Sequence, residues 1–145
     1  MTRAAQEGPI RHAFVESIPT ELEERVLYVT VQYCTAVHKC FCGCGQKVVT
    51  PLSPAQWRLI FDGETVSLEP SIGNWSFRCE SHYWITSGQV KAAGHFTRER
   101  IIAVRAADHR ALQGGVEQPA AKTPAPPAPR RKTFLDRVKS WILQD

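Results

Sequence analysis

The run "HKCFCGCGQ", residues 38–46, constrains this chain more than any other feature. Cys40, Cys42 and Cys44 stand at alternate positions, with glycine at 43 and 45. Glycine enters positive φ at little steric cost, so the run can close into one tight turn. Three thiols in one turn form an incomplete set of metal ligands. Further donors come 35 residues after Cys44, where Cys79 is followed three positions later by His82 in "CESH". Zinc takes four ligands from Cys and His in tetrahedral geometry. A ligand-rich turn completed from a later hairpin therefore predicts a Zn2+-stabilised β domain. Two partitions satisfy the count. In one, Cys40, Cys42, Cys44 and Cys79 bind; in the other a histidine, His38 or His82, replaces a cysteine. The two-residue steps with glycine spacers favour four cysteines. Either partition leaves no ligand position open, so the ion would hold the fold together and not activate water.

The rest of the sequence sets the context for those thiols. The N-terminus, "MTRAAQEGPIRHAF", is polar and broken by Pro9, without the apolar core of a secretory signal. No stretch approaches the roughly 20 apolar residues of a membrane helix. The expected location is cytoplasmic, where thiols stay reduced and a disulfide from Cys79 to the cluster is disfavoured. Cys34 reads as a small buried side chain. Residues 1–117 carry twelve Lys or Arg and twelve Asp or Glu; residues 118–145 carry six and two. The net charge of +4 thus lies wholly in the tail. A neutral body lacks the basic face of a nucleic-acid-binding domain.

Pattern and punctuation give an α+β fold, a small zinc-stabilised β-hairpin domain with one C-terminal helix. Residues 1–13 read as a flexible leader, and 14–115 as the domain. Residues 26–33 are apolar on both faces, which predicts a buried strand. "QKVVT" is a short strand stopped by Pro51. Trp57–Phe61 and Thr65–Leu68 flank Asp62-Gly63, a hairpin signature. "HYWITSGQVKAAG" is a second hairpin bending at Ser87-Gly88. Pro70, Gly73 and Asn74 argue against a simple strand between the two. "FTRERIIAVRAADHRALQGG" predicts a helix capped by Thr97, with Glu99 in its first turn and Gly114-Gly115 at its end. Residues 116–131 form a Pro/Ala-rich linker, holding five of the ten prolines. In 132–145, Phe134, Leu135, Val138, Trp141 and Ile142 recur at helical spacing. This predicts a disordered linker, then a short basic amphipathic helix. The helix could dock in a protein groove or lie on a membrane surface.

Motifs of metallohydrolases and zinc deaminases are missing, so hydrolysis here requires a side-chain nucleophile. The richest polar segment is "SLEPSIGNWSFRCESHYW", residues 67–84. Ser71 lies there in an irregular stretch, with Asn74 and the backbone near Gly73 as candidate oxyanion donors. His82 is close in sequence, and an imidazole can take the proton that makes a serine hydroxyl nucleophilic. Ser71 with His82 is one dyad; Ser81, Ser67 and His38 are rivals. Trp57, Trp75, Tyr83 and Trp84 read as core and rim aromatics.

The Cys-x-Cys-Gly-Cys-Gly turn at 40–45, Pro-Ser-Ile-Gly-Asn-Trp at 70–75 and Cys-x-Ser-His-Tyr at 79–83 resemble a bacterial family of small cysteine-rich, BubE-like proteins. These are encoded beside a ubiquitin-like modifier and its E1- and E2-like enzymes. The resemblance covers about residues 13–110 and excludes the linker and terminal helix. It implies a zinc-bearing serine peptidase that processes or removes the modifier, as a deubiquitinase does, with the modifier and its conjugating enzymes as partners. The alternative is a non-catalytic zinc module that recruits them.

Overall fold

The structure, a computed structural model, describes residues 2–114. The proline-rich linker and terminal amphipathic helix expected from 116–145 lie outside those residues. The described fold is mostly β-sheet with one helix. Strand β3 (Val26–Thr30) is buried along its whole length. Its two apolar faces have two destinations. Leu27 and Val29 enter the main core; Val26 and Tyr28 join Leu22 and Val37 in a second cluster. The strand stops at Thr30 and not at 33, because residues 31–34 turn sharply and Cys34 takes a φ of 45°. Cys34 is consequently exposed, not buried as its sequence context suggests.

Two sheets share the main core. In the four-stranded sheet β3 lies between β2 (Arg11–Phe14), which runs parallel to it, and antiparallel β4 (Thr35–Lys39); β5 (Lys47–Pro51) closes the far edge. The five-stranded sheet runs β1 (Gly8–Pro9), β9 (Gln89–Ala92), β8 (His82–Thr86), β7 (Val66–Gly73), β6 (Arg58–Phe61). Both expected hairpins form. Asp62 accepts from the Glu64 and Thr65 amides, which holds its carboxyl down to about 2. Ser87 and Gly88 both take positive φ, as a two-residue hairpin turn requires. Helix α1 (Arg98–Gln113) follows, with the Thr97 hydroxyl accepting from the Arg100 amide.

Strand β7 runs through Pro70 to Gly73, where sequence punctuation argued against a strand. A bulge reconciles the two. Leu68 pairs with Ile85 and Ile72 with Tyr83, so Glu69, Pro70 and Ser71 stand against Trp84 alone. Leu68 and Ile72 both remain in the core. The excess residues leave the ladder there, as bulges beside functional sites do.

The segment expected as a leader has defined places in the fold. They carry β1 and β2, and Ala5 is buried in the main core. The Arg3 amide donates to the Cys79 carbonyl at 2.7 Å, and the Gln6 amide to that of Phe41 at 2.8 Å. Arg25 donates to the carbonyls of Gln6 and Pro9. The strap therefore bonds to both loops that carry the thiols. Composition hides this, because main-chain groups make the attachment. Deleting residues 1–9 should lower stability by about 2–4 kcal/mol, from several net hydrogen bonds and one buried side chain. Urea denaturation checks this; an unchanged midpoint would be the result for a loose leader.

Candidate active site and metal centre

Cys40, Cys42 and Cys44 lie in residues 40–46, the loop that turns β4 into β5. The Cys40 amide donates to Gln46 O at 2.8 Å and the Gly43 amide to Cys40 O at 3.0 Å. Gly43 and Gly45 take φ of 80° and 79°, the conformation that glycine makes cheap. Cys79 comes from the other sheet, in the connection between β7 and β8. There the Asn74 amide donates to Ser81 O, and Glu80 holds a φ of 43°. All four sulfurs lie within 4.8 Å of one another. Particular pairs are 3.4 Å (Cys40–Cys42), 4.0 Å (Cys40–Cys79) and 3.7 Å (Cys44–Cys79). A tetrahedron with metal–sulfur bonds of about 2.3 Å has edges near 3.8 Å. The donor set therefore fits a four-thiolate metal site.

Electrostatics point the same way. Burial pushes the Cys40 and Cys42 thiols up. Burial also acts to raise Cys79, but hydrogen bonds, those of Ser81 first, outweigh it and hold that thiol down to about 7. Thiols desolvated together cannot all ionise without a cation among them. The surrounding donors suit thiolates. The Ser81 hydroxyl is 3.1 Å from Cys40 Sγ, and Asn74 Nδ2 lies 3.7 Å from the same sulfur. Neither histidine joins this group. His38 is fully buried, stacked on Phe41, and burial lowers it to about 3, so it is neutral. Tyr83 Oη accepts from Asn74 Nδ2 at 3.2 Å and lies 2.8 Å from His38 Nε2.

His82 faces the other way. Successive strand residues point to opposite faces, so Tyr83 and Ile85 enter the core while His82 and Trp84 lie on the outer face of the five-stranded sheet. The bulge sets Ser71 on that face, and Ser71 Oγ lies 2.8 Å from His82 Nε2. His82 Nδ1 is 3.1 Å from the Gly94 carbonyl. A carbonyl can only accept, so Nδ1 carries the proton and Nε2 is left as an acceptor for the Ser71 hydroxyl. Trp75 and Phe96 pack on the imidazole with ring centroids 5.0 and 4.5 Å away. Gly73 permits this, since a Cβ there would run into the Trp75 indole. Ser71 and His82 open into a cavity of about 460 Å³, walled by Gln56, Trp57, Trp75, Phe96 and the α1 residues Val104 and Leu112.

The rival serines are placed elsewhere. Ser81 is buried among the sulfurs, and Ser67 accepts from the Ser87 amide near a hairpin turn. Asn74 is not positioned as an oxyanion donor, because its side-chain amide donates to Ser81 and Tyr83 on the core side. Sequence reasoning missed the Gly94 carbonyl and the Trp75–Phe96 clamp. The carbonyl leaves no side-chain signal; the strand alternation at 81–83 could have separated Ser81 and Tyr83 from His82.

Residues 14–93 match the family model described as the bacterial ubiquitination-like system serine protease, BubE. That span covers over half of the 145 residues and contains the thiols, Ser71 and His82. Neither the curated proteins nor the solved structures include a match.

Single replacement of Cys40, Cys42, Cys44 or Cys79 by serine should abolish tight stoichiometric metal binding, while Cys34→Ser retains one equivalent. Native mass spectrometry of protein purified under reducing conditions checks this; retention by the Cys79→Ser protein would exclude the four-thiolate set.

Proposed function

This chain belongs to the BubE family, the serine proteases of bacterial ubiquitination-like systems, and on that premise we propose that it cleaves peptide bonds formed by a ubiquitin-like modifier, with Ser71 as nucleophile and His82 as general base. The observation that carries this reading is the 2.8 Å contact between Ser71 Oγ and His82 Nε2, in a tautomer set by the Gly94 carbonyl. A serine hydroxyl needs such a partner to become nucleophilic.

As Ser71 Oγ attacks the scissile carbonyl carbon, its proton passes to His82 Nε2. When the tetrahedral intermediate collapses the C–N bond breaks, and His82 gives that proton to the leaving amine. The ester left on Ser71 is hydrolysed in the same way: water attacks its carbonyl carbon as it loses a proton to Nε2, the bond from that carbon to Ser71 Oγ breaks, and Oγ recovers the proton. With Asn74 committed to the core side, main-chain N–H groups near Gly73 remain as oxyanion donors. The imidazolium formed in each step lies against the Trp75 and Phe96 rings, which attract cations over their faces. His82 finds no carboxylate within hydrogen-bonding distance among the described residues, so orientation falls to the main chain and the two rings.

The four thiols suit Zn2+. Bound there, the ion would supply structural cross-linking; with four protein ligands it leaves no position for water. A cytoplasmic setting accords with reduced thiols. The modifier is the expected partner, with the activating and conjugating enzymes of the same system as further ones.

A modifier precursor with a C-terminal extension, incubated with the metal-loaded protein, should be cut at the modifier's C-terminus. Ser71→Ala and His82→Ala should each lower the rate by about 10³-fold or more. Cleavage that survives Ser71→Ala would remove Ser71 as the nucleophile. Absence of cleavage by the wild-type protein would leave the adaptor reading in its place.

A further inference from the structure

The cleft has a feature that the dyad does not use. Strand β7 runs from Val66 to Gly73, but β6 pairs only with its first half, the last register pair being Arg58 with Glu69. On the β8 side, Ile72 and Gly73 are paired with Tyr83 and His82. On the opposite side, among the described residues, no strand pairs with Pro70–Gly73. Upstream of β6 the chain bends into the 53–57 turn, with the Ser53 amide donating to Trp57 O and Leu52 bridged to Trp57. The 460 Å³ cavity takes part of its lining from this bend, at Ala55, Gln56 and Trp57, and part from β7, at Pro70, Ser71 and Gly73. A second hollow of about 760 Å³ adjoins it, sharing Gln56, Trp57 and Pro70, and is walled further by Trp84.

We infer that the cleft binds its substrate as an extended peptide, added as a strand along the open margin of β7 at Ser71–Gly73. The inference rests on the peptidase reading above and specifies its ligand: an unfolded tail recognised through its main chain. A sheet margin with unpaired N–H and C=O groups is a template for another strand. Ser71 is part of that margin, so a strand lying on it brings consecutive carbonyls past the nucleophile at about 3.3 Å per residue. The two cavities meet at Pro70 and Trp57, so the peptide continues on both sides of that point. Trp57, Trp75 and Phe96 offer flat apolar walls, and Asp108 of α1 adds a carboxylate to the lining. A folded surface loop, with its main chain already paired, cannot add in this way. An extended C-terminal tail can.

Strand addition has a signature that side-chain recognition lacks. Alternate residues of the ligand donate to the margin, so blocking alternate amides should matter and blocking the others should not. The probe is a fluorescent peptide of the modifier's last eight residues, unmodified or N-methylated at one position at a time. Binding is measured by anisotropy to full-length Ser71→Ala protein, which cannot turn it over. N-methylation at positions of one parity should weaken binding tenfold or more, and at the other parity by less than twofold. Hydrogen exchange should show new protection within residues 70–74 when the peptide binds. Absence of alternation, or no binding at millimolar peptide, would overturn the inference. Full protection of that margin in the free protein would also overturn it, since the chain's own C-terminal segment would then occupy the place. Wild-type cleavage keeps the two readings separate. Ser71-dependent cutting without alternation removes strand addition and leaves the peptidase; alternation without cutting does the reverse.

Discussion

The convergence of four sulfurs from two sheets is the constraint on which the rest of this structure depends. The β4–β5 loop supplies three, and the β7–β8 connection supplies the fourth. Beyond the shared core, the N-terminal strap makes the same connection, bonding to Phe41 O on one loop and to Cys79 O on the other. Three small attachments thus act at one end of the molecule: apolar burial, the strap and the thiol centre. None would suffice easily for a domain of this size, where net stability is a small difference between large terms. A cation among the thiols would convert a costly cluster of desolvated groups into the firmest of the three.

The proposed chemistry stands one residue away from that centre. Ser81, His82 and Tyr83 are consecutive. Ser81 and Tyr83 face inward, one against Cys40 Sγ and the other against His38; His82 faces outward against Ser71. Asn74 repeats the arrangement at the end of β7, its amide side chain turned inward while Gly73 and Trp75 shape the cleft. The β7–β8 ladder is therefore a single wall with thiols behind and the dyad in front. A disturbance of Cys79 reaches His82 through only three residues of chain, without any need for the ion to touch substrate.

Much of this was legible in the sequence where the signal is local. The glycine positions at 43 and 45, the Asp62-Gly63 and Ser87-Gly88 turns and the Thr97 cap each follow from one residue's conformational preference. The grouping of Cys40, Cys42, Cys44 and Cys79 was also foreshadowed, by spacing and thiol chemistry. Ser71 with His82 was reachable as a pair because both lie in one polar segment, yet the rivals Ser81, Ser67 and His38 could not be set aside without knowing which face each strand residue takes. The bulge was hidden for a related reason. Pro70 looks like a strand breaker, but a strand can carry proline where its N–H would leave the ladder. The N-terminal strap and the Gly94 carbonyl act through the main chain, which every residue possesses, so composition says nothing of them.

One side of the cleft is built firmly and the other loosely, and the difference follows from burial. The floor consists of β7 and β8, whose inward residues Leu68, Ile72, Tyr83 and Ile85 are almost wholly buried, and His82 is clamped by two rings and a carbonyl. The roof is α1, which buries no residue fully and leaves Ile102 and Leu112 exposed. Its described attachments are the Arg105–Ser76 hydrogen bond and the stacking of Arg100 on Phe96. Helices in proteins owe most of their stability to a packed face, and this one has little. In the proposed mechanism a rigid floor would keep the hydroxyl and imidazole in register for proton transfer. A weakly held roof costs little free energy to displace, which would suit entry of the proposed peptide chain. The division of labour places precision on the strands that adjoin the thiol centre and adaptability on the helix that follows the five-stranded sheet.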